Sequence, residues 1–175
     1  MDALIRHCQN DTSKKIVLVL SNNPEAPALE KAKKTGIKTV VIDSKKISSK
    51  EEYDHQLISE LEKHKPDLIV LAGYMKIISK TVVDHFKNKI INIHPSLLPA
   101  FPGLHAQKQA LDAKVKTAGC TVHYVDEGCD TGPIILQASV PVLENDTEES
   151  LSARILEQEH LLLPKAVDLI AKNKI

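Results

Sequence analysis

Short apolar runs alternate with segments of helical periodicity along most of this chain. Apolar runs of strand length occur at 15–20, 38–42, 67–71, 90–93, 119–125 and 134–140. Between them, the spacing of apolar positions predicts helices over 2–9, 26–34, 50–64, 80–86 and 106–112. Alternating strands and helices are typical of an α/β fold, so we expect a Rossmann-like, mostly parallel sheet with flanking helices.

The last third of the chain departs from this alternation. Strands 119–125 and 134–140 follow one another through a turn at 126–133, which predicts a C-terminal antiparallel strand pair. A long helix should begin after Thr147, and Pro164 should kink or divide it because proline lacks a backbone N–H. The apolar run 68–71 is predicted to be buried on both faces of the sheet. With no linker or repeat in the sequence, we expect a single domain over 1–175.

An amide and an imidazole lie two residues apart where one predicted strand ends. Asn92 and His94 should project from the same face of that strand, because side chains alternate along it. Pro95 then interrupts the ladder. Taken alone, His94 is more typical of a hydrogen-bonded structural histidine, and Asn92 of a satisfied strand-end amide.

The turn 126–133, Asp-Glu-Gly-Cys-Asp-Thr-Gly-Pro, is a second candidate. Its two glycines permit unusual backbone angles, although by composition alone an ordinary acidic turn is the better interpretation. The balance changes when Asp130 is considered with Asn92 and His94. A carboxylate beside an imidazole favours the charged imidazolium, and an amide donor nearby could stabilise an oxyanion. These three groups together suit acyl transfer.

The amino-acid composition limits the classes of partner that the chain is expected to bind. The 175 residues include 23 basic and 23 acidic side chains, so no overall field attracts nucleic acid or an anionic membrane. The three cysteines show no metal spacing, which suggests reduced thiols in the cytoplasm, and Cys129 is not favoured as a nucleophile. The histidines also lack metal-ligand spacing, so we expect no metal. No apolar stretch approaches the roughly 20 residues of a membrane span.

Four motifs make the chain resemble the glycinamide ribonucleotide formyltransferase family of purine biosynthesis. They are Leu-Ala-Gly-Tyr-Met-Lys-Ile-Ile at 71–78, Asn-Ile-His-Pro-Ser-Leu-Leu-Pro at 92–99, Asp-Thr-Gly-Pro-Ile-Ile-Leu-Gln at 130–137 and Gln-Glu-His at 158–160. The resemblance implies a formyltransferase fold and transfer of a formyl group from 10-formyltetrahydrofolate to the amine of glycinamide ribonucleotide. It assigns the catalytic roles to Asn92, His94 and Asp130.

The resemblance also implies two binding regions. The folate cosubstrate would contact Lys50, Met75, Lys76, Ile77, Ile78, Asn92, Asp126, Glu127, Gly128, Cys129 and Asp130. Glycinamide ribonucleotide would contact Gly73, Met75, Pro95, Leu156, Glu157, Gln158 and Glu159. Lys76 stands where the family often has arginine, so a point charge would replace a bidentate contact. Without the resemblance, Lys50 and Glu159 would be solvated charges. Both partners are small molecules, and we expect a monomer or homodimer.

The N-terminus departs from the family pattern. Members normally begin with a strand and a Gly-x-Gly-Ser-Asn loop that holds the substrate phosphate, whereas Met1 matches a position in the helix that should follow. We therefore expect an N-terminally truncated version of the fold. Either Met1 is an internal methionine of a longer active protein, which we favour, or the chain is a true truncation with weak or lost activity.

The sequence leaves three alternative functions open, two that act on formyl-folate and one that only binds folate. A formyltetrahydrofolate deformylase would use the same three residues with water as the acceptor, but normally has an added N-terminal regulatory domain. A methionyl-tRNA formyltransferase would normally have an added C-terminal RNA-binding domain. A different class is a folate-binding domain that is inactive because of the truncation.

Overall fold

The computed structural model describes residues 1–11 and 13–172. The chain divides into two compact units, Met1–Asp67 and Leu68–Ile175. The N-terminal unit contains α1 (Asp2–Gln9), β1 (Val19–Ser21), α2 (Pro27–Lys34), β2 (Thr39–Val41) and α3 (Lys50–His64). The C-terminal unit contains β3 (Ile69–Leu71), α4 (Lys80–His85), β4 (Ile90–His94), α5 (Ala106–Asp112), β5 (Thr117–Tyr124), β6 (Ile134–Pro141) and α6 (Glu148–Ala171).

Local signals explain the helices of the N-terminal unit. Pro27 opens α2, and Gly36, with φ of 73°, follows its end in the left-handed conformation that glycine tolerates best. Ser49 caps α3 by accepting a hydrogen bond from the Glu52 backbone N–H. Strand β1 pairs in parallel with β2 only from Val19 to Ser21, so the strand predicted at 15–20 begins later than expected.

The C-terminal unit is built on a four-stranded sheet of order β3-β4-β5-β6. Strand β4 pairs in parallel with β3 and antiparallel with β5, and β5 pairs antiparallel with β6. The predicted C-terminal antiparallel pair is therefore confirmed, as are the α/β class and its parallel strand connections. Ile91 and Val122, on the two central strands, are completely buried in the core.

Strand β3 corrects one expectation. Leu68 and the three residues of β3 are half-buried, although the apolar run predicted burial on both faces. Within its sheet, β3 is an edge strand whose ladder runs only to β4. An apolar run gives no direct information about the position of its strand in the sheet, so hydrophobicity overestimated the burial.

Helix α6 corrects another expectation. Its start is as predicted, because Thr147 and Ser150 form a reciprocal capping box. Pro164 does not divide the helix, which continues to Ala171. Proline removes the bond to the carbonyl four residues earlier, but Leu162, Leu163 and Pro164 itself are buried and hold the helix through this position by packing.

Within residues 1–11 and 13–172, no helix combines the length and apolar character needed to cross a membrane. The single domain expected over 1–175 stays a prediction.

Candidate active site

The candidate site is built on the end of β4. Asn92 lies opposite His123 of β5, and His94 lies opposite Thr121, so alternate residues of two antiparallel strands form a polar patch. On β4 the apolar neighbours Ile90 and Ile91 are buried in the core. The predicted alternation of side chains along β4 therefore places the Asn92 amide and the His94 imidazole on the same face of the strand.

The His94 ring is held between two acceptors. Its Nε2–H donates to the carbonyl oxygen of Phe101 at 2.9 Å, and its Nδ1 lies 3.2 Å from Oδ2 of Asp130. The residue is only 5% exposed. The Phe101 carbonyl oxygen can only accept, so the hydrogen of that bond lies on Nε2. The Asp130 carboxylate beside Nδ1 would stabilise a positive charge on the ring, which is the arrangement that the sequence predicted.

Asp130 connects the three candidate catalytic residues. Its Oδ2 accepts from the Gly103 backbone N–H at 2.9 Å in addition to facing His94. Its Oδ1 accepts from Asn92 Nδ2 at 3.4 Å. Asp130 has a φ of 57°, a left-handed conformation that aspartate adopts more readily than most residues. The predicted convergence of Asn92, His94 and Asp130 is confirmed, while their catalytic roles stay a prediction.

His123 supports the amide of Asn92. It is 2% exposed, and its Nδ1–H donates to the Tyr124 carbonyl oxygen at 2.8 Å. Its Nε2 lies 3.4 Å from Asn92 Nδ2 and 3.5 Å from Asp130 Oδ1. His123 therefore contacts two of the three candidate catalytic residues from the neighbouring strand. A histidine within the strand predicted at 119–125 was the sequence signal for such a supporting role.

The turn that carries Asp130 is folded by its own side chains. Asp126 Oδ1 accepts from the Gly128 backbone N–H at 3.1 Å and from Thr131 Oγ1 at 2.7 Å. The expected reason for the two glycines was wrong, because neither Gly128 nor Gly132 has a positive φ. Both are required by space instead: a Cβ on Gly132 would lie 1.9 Å from the Tyr124 carbonyl oxygen.

Two other residues of this turn have partners. The exposed carboxylate of Glu127 pairs with Lys80 at the start of α4, and the hydrogen bonds that Lys80 donates to Glu127 and then to Asp84 raise the pKa of Lys80. The Cys129 thiol faces Asp130 Oδ2 at 3.7 Å. Partial burial, followed by the negative charge of Asp130, raises the pKa of Cys129, which agrees with the expectation that it is not a nucleophile.

The remaining predicted folate residues lie in different settings. Met75 and Ile77 are about three-quarters exposed, at 76% and 75%, in the segment between β3 and α4. In the same segment, Lys76 is exposed and Ile78 is half-buried. Such exposure leaves an apolar surface available to a flat ligand. Lys50 is exposed at the first position of α3 in the N-terminal unit, and its contact with folate stays a prediction.

The predicted nucleotide residues are divided between a loop and α6. Gly73 follows β3 with φ of 71°, and Pro95 is half-buried directly after His94. On α6, Leu156 and Glu157 are exposed, whereas Gln158 and Glu159 are half-buried. Burial raises the pKa of Glu159. Glu159 is therefore not the freely solvated helix charge that its residue type alone suggests.

Four further residues join the site through contacts that the sequence analysis missed. Phe101 and Gly103 contribute backbone groups to His94 and Asp130, and Thr121 and Gln137 hydrogen-bond the loop after His94. Backbone contacts leave no signature in residue types, so Phe101 and Gly103 could not have been found that way. Thr121 was detectable as a polar residue in an apolar strand.

This fold, with an amide, an imidazole and a carboxylate at the end of a strand, is typical of α/β enzymes that transfer acyl groups. The sequence profile of the formyl transferase family matches residues 1–167. The chain belongs to the formyl transferase family.

Individual relatives agree with this assignment. The chain is 40% identical over 176 residues to the phosphoribosylglycinamide formyltransferase of Escherichia coli, covering 100% of this chain and 83% of that protein. It is 49% identical over 158 residues to the trifunctional purine biosynthetic protein adenosine-3 of Drosophila melanogaster, covering 90% of this chain but only 12% of that protein. The structure of glycinamide ribonucleotide transformylase 1 from Symbiobacterium toebii superposes with a TM-score of 0.95 at 45% identity, covering 98% of this chain and 81% of that one.

Proposed function

We propose that this chain transfers the formyl group of 10-formyltetrahydrofolate to the amine of glycinamide ribonucleotide. The observation that carries the proposal is the buried His94 ring, held between the carboxylate of Asp130 and the carbonyl of Phe101 beside the Asn92 amide. In the reaction the amine nitrogen bonds to the formyl carbon, and the bond from that carbon to the folate nitrogen breaks. Relatives that carry the matching names, described above, support this choice of substrates.

Asn92 and His94 would stabilise the negative charge that develops on the formyl oxygen. Asn92 Nδ2 lies 3.4 Å from both Asp130 Oδ1 and His123 Nε2, so both contacts are long and can be exchanged for a shorter hydrogen bond to an oxyanion. The His94 ring lies two residues further along the same strand in a nearly solvent-free position, and as an imidazolium it would add a positive charge to the site. Donors and charges fixed in this way stabilise an oxyanion without reorganising during the reaction.

The two ring nitrogens of His94 would have different duties. Nε2 is engaged by the Phe101 carbonyl at 2.9 Å, so it orients the ring. Nδ1 faces Asp130 at the longer distance of 3.2 Å and would supply the proton that the leaving folate nitrogen takes up. Asp130, acting directly or through a water molecule, would accept the proton that the attacking amine loses.

The folate and the glycinamide ribonucleotide would each contact a separate set of residues. The 126–130 turn offers backbone groups to the polar edge of a pterin, and the exposed Met75 and Ile77 offer apolar contact to its face. Glu159 would accept hydrogen bonds from ribose hydroxyls, which would satisfy its half-buried carboxylate. The expected compartment is the cytoplasm, and the thiols of Cys120 and Cys129, neither of which is in a disulfide bond, support it.

A formyl-transfer assay with the purified chain tests the proposal. We expect N-formylglycinamide ribonucleotide from the parent protein and a loss of kcat of about a hundredfold or more in His94→Ala, because the charged donor is removed. His55→Ala is the control, since His55 is exposed on α3 in the other unit. Formate release without transfer would indicate a deformylase. Folate binding without either product, or full activity in His94→Ala, would overturn the proposal.

A further inference from the structure

Three paired side chains, the first of which is His94 of the candidate site, form a row across the sheet. His94 of β4 is paired with Thr121 of β5, and Thr121 is paired with Gln137 of β6. Directly paired residues project from the same face of a sheet. Gln137 therefore lies two strands away from His94 but on the same face.

The hydroxyl of Thr121 is fully used within this row. It donates to the Ser96 carbonyl oxygen at 2.6 Å and accepts from the Leu98 backbone N–H at 3.1 Å. It also accepts from Gln137 Nε2 at 2.9 Å. A hydroxyl has one hydrogen and two lone pairs, so these three bonds exhaust its capacity. Thr121 is also completely buried, which makes the loss of any of these bonds unfavourable.

Gln137 uses both hydrogens of its amide nitrogen. The second hydrogen bond goes from Nε2 to the Leu98 carbonyl oxygen at 2.9 Å. Because that partner can only accept, the nitrogen rather than the oxygen of the amide must face it. Gln137 thus binds the loop at Leu98 both directly and through Thr121, although β6 is an edge strand of the sheet.

The loop held in this way leads to the His94 ring. Ser96 Oγ donates to the Ala100 carbonyl oxygen at 2.6 Å, and the Ala100 N–H donates to the Leu97 carbonyl oxygen at 3.1 Å, which closes segment 96–100 into a compact turn. Phe101 follows immediately, and its carbonyl oxygen accepts from His94 Nε2. A shift of the turn would therefore move the acceptor that orients the ring.

We propose that Gln137 is a positioning residue for formyl transfer, which holds the 96–100 turn so that the Phe101 carbonyl fixes the His94 ring. This inference rests on the proposed function. Its effect should fall on the chemical step, because Gln137 acts through the orientation of His94 rather than through a contact with either substrate.

The experiment compares the parent protein with Gln137→Leu, which keeps the approximate volume but removes both donors. We expect kcat to fall about tenfold or more, with the KM of each substrate changed by less than about twofold, because a small misplacement of a reacting group is costly. Nitrogen-15 NMR of the histidine rings provides the second readout. The His94 Nε2–H signal, assigned by its absence from His94→Ala, should exchange with water roughly tenfold faster in Gln137→Leu.

Ser139→Ala is the matched control, since Ser139 lies two residues further along β6, is exposed like Gln137 and makes no side-chain hydrogen bond to the 96–100 turn among the described residues. It should leave kcat and the ring signal unchanged. Thr121→Ser keeps the hydroxyl and should retain both properties, and Gln137→Met replaces Gln137→Leu if the latter does not fold. An unchanged kcat and an unchanged ring signal in the Gln137 variant, or a rise in KM alone, would overturn the inference. If the parent protein has no transferase activity, the proposed function fails and the ring signal alone decides the role of Gln137.

Discussion

Asp130 binds different partners through its two carboxylate oxygens. One oxygen faces His94 and accepts from the Gly103 N–H, and the other accepts from Asn92. The same charge also acts on the neighbouring thiol of Cys129, which is exposed. Cys129 can therefore report the charge of Asp130 without any substrate.

We expect Asp130→Asn to speed the alkylation of Cys129. Partial burial and then the Asp130 charge raise the thiol pKa, so removing the charge lowers the pKa and increases the fraction of reactive thiolate. The rate of iodoacetamide labelling at pH 8, followed for each cysteine by mass spectrometry, measures this change. Cys120 is the internal control, because burial raises its pKa to about 12 and no carboxylate contact of Asp130 reaches it in the described bonds. An unchanged Cys129 rate would contradict the prediction.

The partial burial of Glu159 was not evident from its residue type. Its type alone suggested a solvated charge, yet it continues the spacing of the buried residues Leu151, Ile155 and Leu162 on α6. A carboxylate in the apolar stripe of a helix is unusual, because burial disfavours its charged form. The helical pattern could therefore have identified Glu159 as a special position, whereas its proposed ribose partner came from the family resemblance alone.

The turn between β5 and β6 leaves little space for a side chain at two positions, Gly128 and Gly132. In Gly132→Ala the new Cβ would meet the Tyr124 backbone carbonyl, and in Gly128→Ala it would meet the Thr131 side chain. Side chains can rotate more easily than backbone can shift, so Gly132→Ala should destabilise the protein more, by roughly 1–3 kcal/mol. Urea unfolding followed by circular dichroism checks this order. Equal midpoints for the two variants would show that the turn adjusts to either Cβ.

Helix α6 is held to its unit by a few fully buried aliphatic residues. Ile155→Ala should lower the free energy of unfolding by about 2–5 kcal/mol, because it leaves a cavity at a position with no solvent exposure. Leu161→Ala is the control on the same helix, since Leu161 is 68% exposed and its truncation should change stability by less than about 0.5 kcal/mol. Similar losses in both variants would mean that the two faces of α6 do not differ in packing.

Elements with a strong local signal were predicted closely, and elements that depend on their neighbours were not. Helices α1, α3 and α5 have the predicted bounds, and Thr147 caps α6 as expected. The burial of β3 and a division of α6 at Pro164 were predicted wrongly, whereas the alternative of a kink at Pro164 stays a prediction. Both depend on packing and on position in the sheet, which sequence periodicity does not contain.

At the scale of the whole molecule, part of the acid response should come from a partly buried ion pair between Asp146 and Arg154. Asp146 is 3% exposed at its side chain and accepts two hydrogen bonds from the Arg154 guanidinium, at 2.7 and 2.8 Å. The Arg154 contact, followed by the Leu143 N–H, holds the pKa of Asp146 well below its ordinary value. A carboxyl group with a lowered pKa in the folded state stabilises the fold above its unfolded pKa and loses this effect as the pH falls.

We therefore expect the parent protein to lose stability progressively below about pH 4. Asp146→Asn should be less stable than the parent at pH 7 and should depend less on pH in the acid range. Urea unfolding at a series of pH values between about 2 and 7 measures both effects. Glu144→Gln, an exposed substitution two residues away, is the control. Parallel pH curves for the parent and Asp146→Asn would contradict the prediction.

At the scale of the whole molecule, the sequence specified the α/β class and the antiparallel β5–β6 pair. It also indicated that Asn92, His94 and Asp130 act together, and the structure places the first two on β4 and Asp130 in the turn between β5 and β6. What escaped prediction was the set of cross-strand and backbone contacts, including Phe101, Gly103 and Gln137. Those contacts depend on register and loop path, which are fixed only when the complete sheet forms.

The left-handed backbone of Asp130 affects how its role should be measured. Alanine at this position would remove the carboxylate and also introduce a residue that is poorly suited to a φ of 57°. The kinetic defect of Asp130→Ala would then combine the effect of an altered turn with the effect of a missing charge. Asparagine tolerates the same conformation and nearly the same shape, so Asp130→Asn isolates the charge. Asp130→Gly provides the complementary case, in which the backbone is accommodated while the entire side chain is absent.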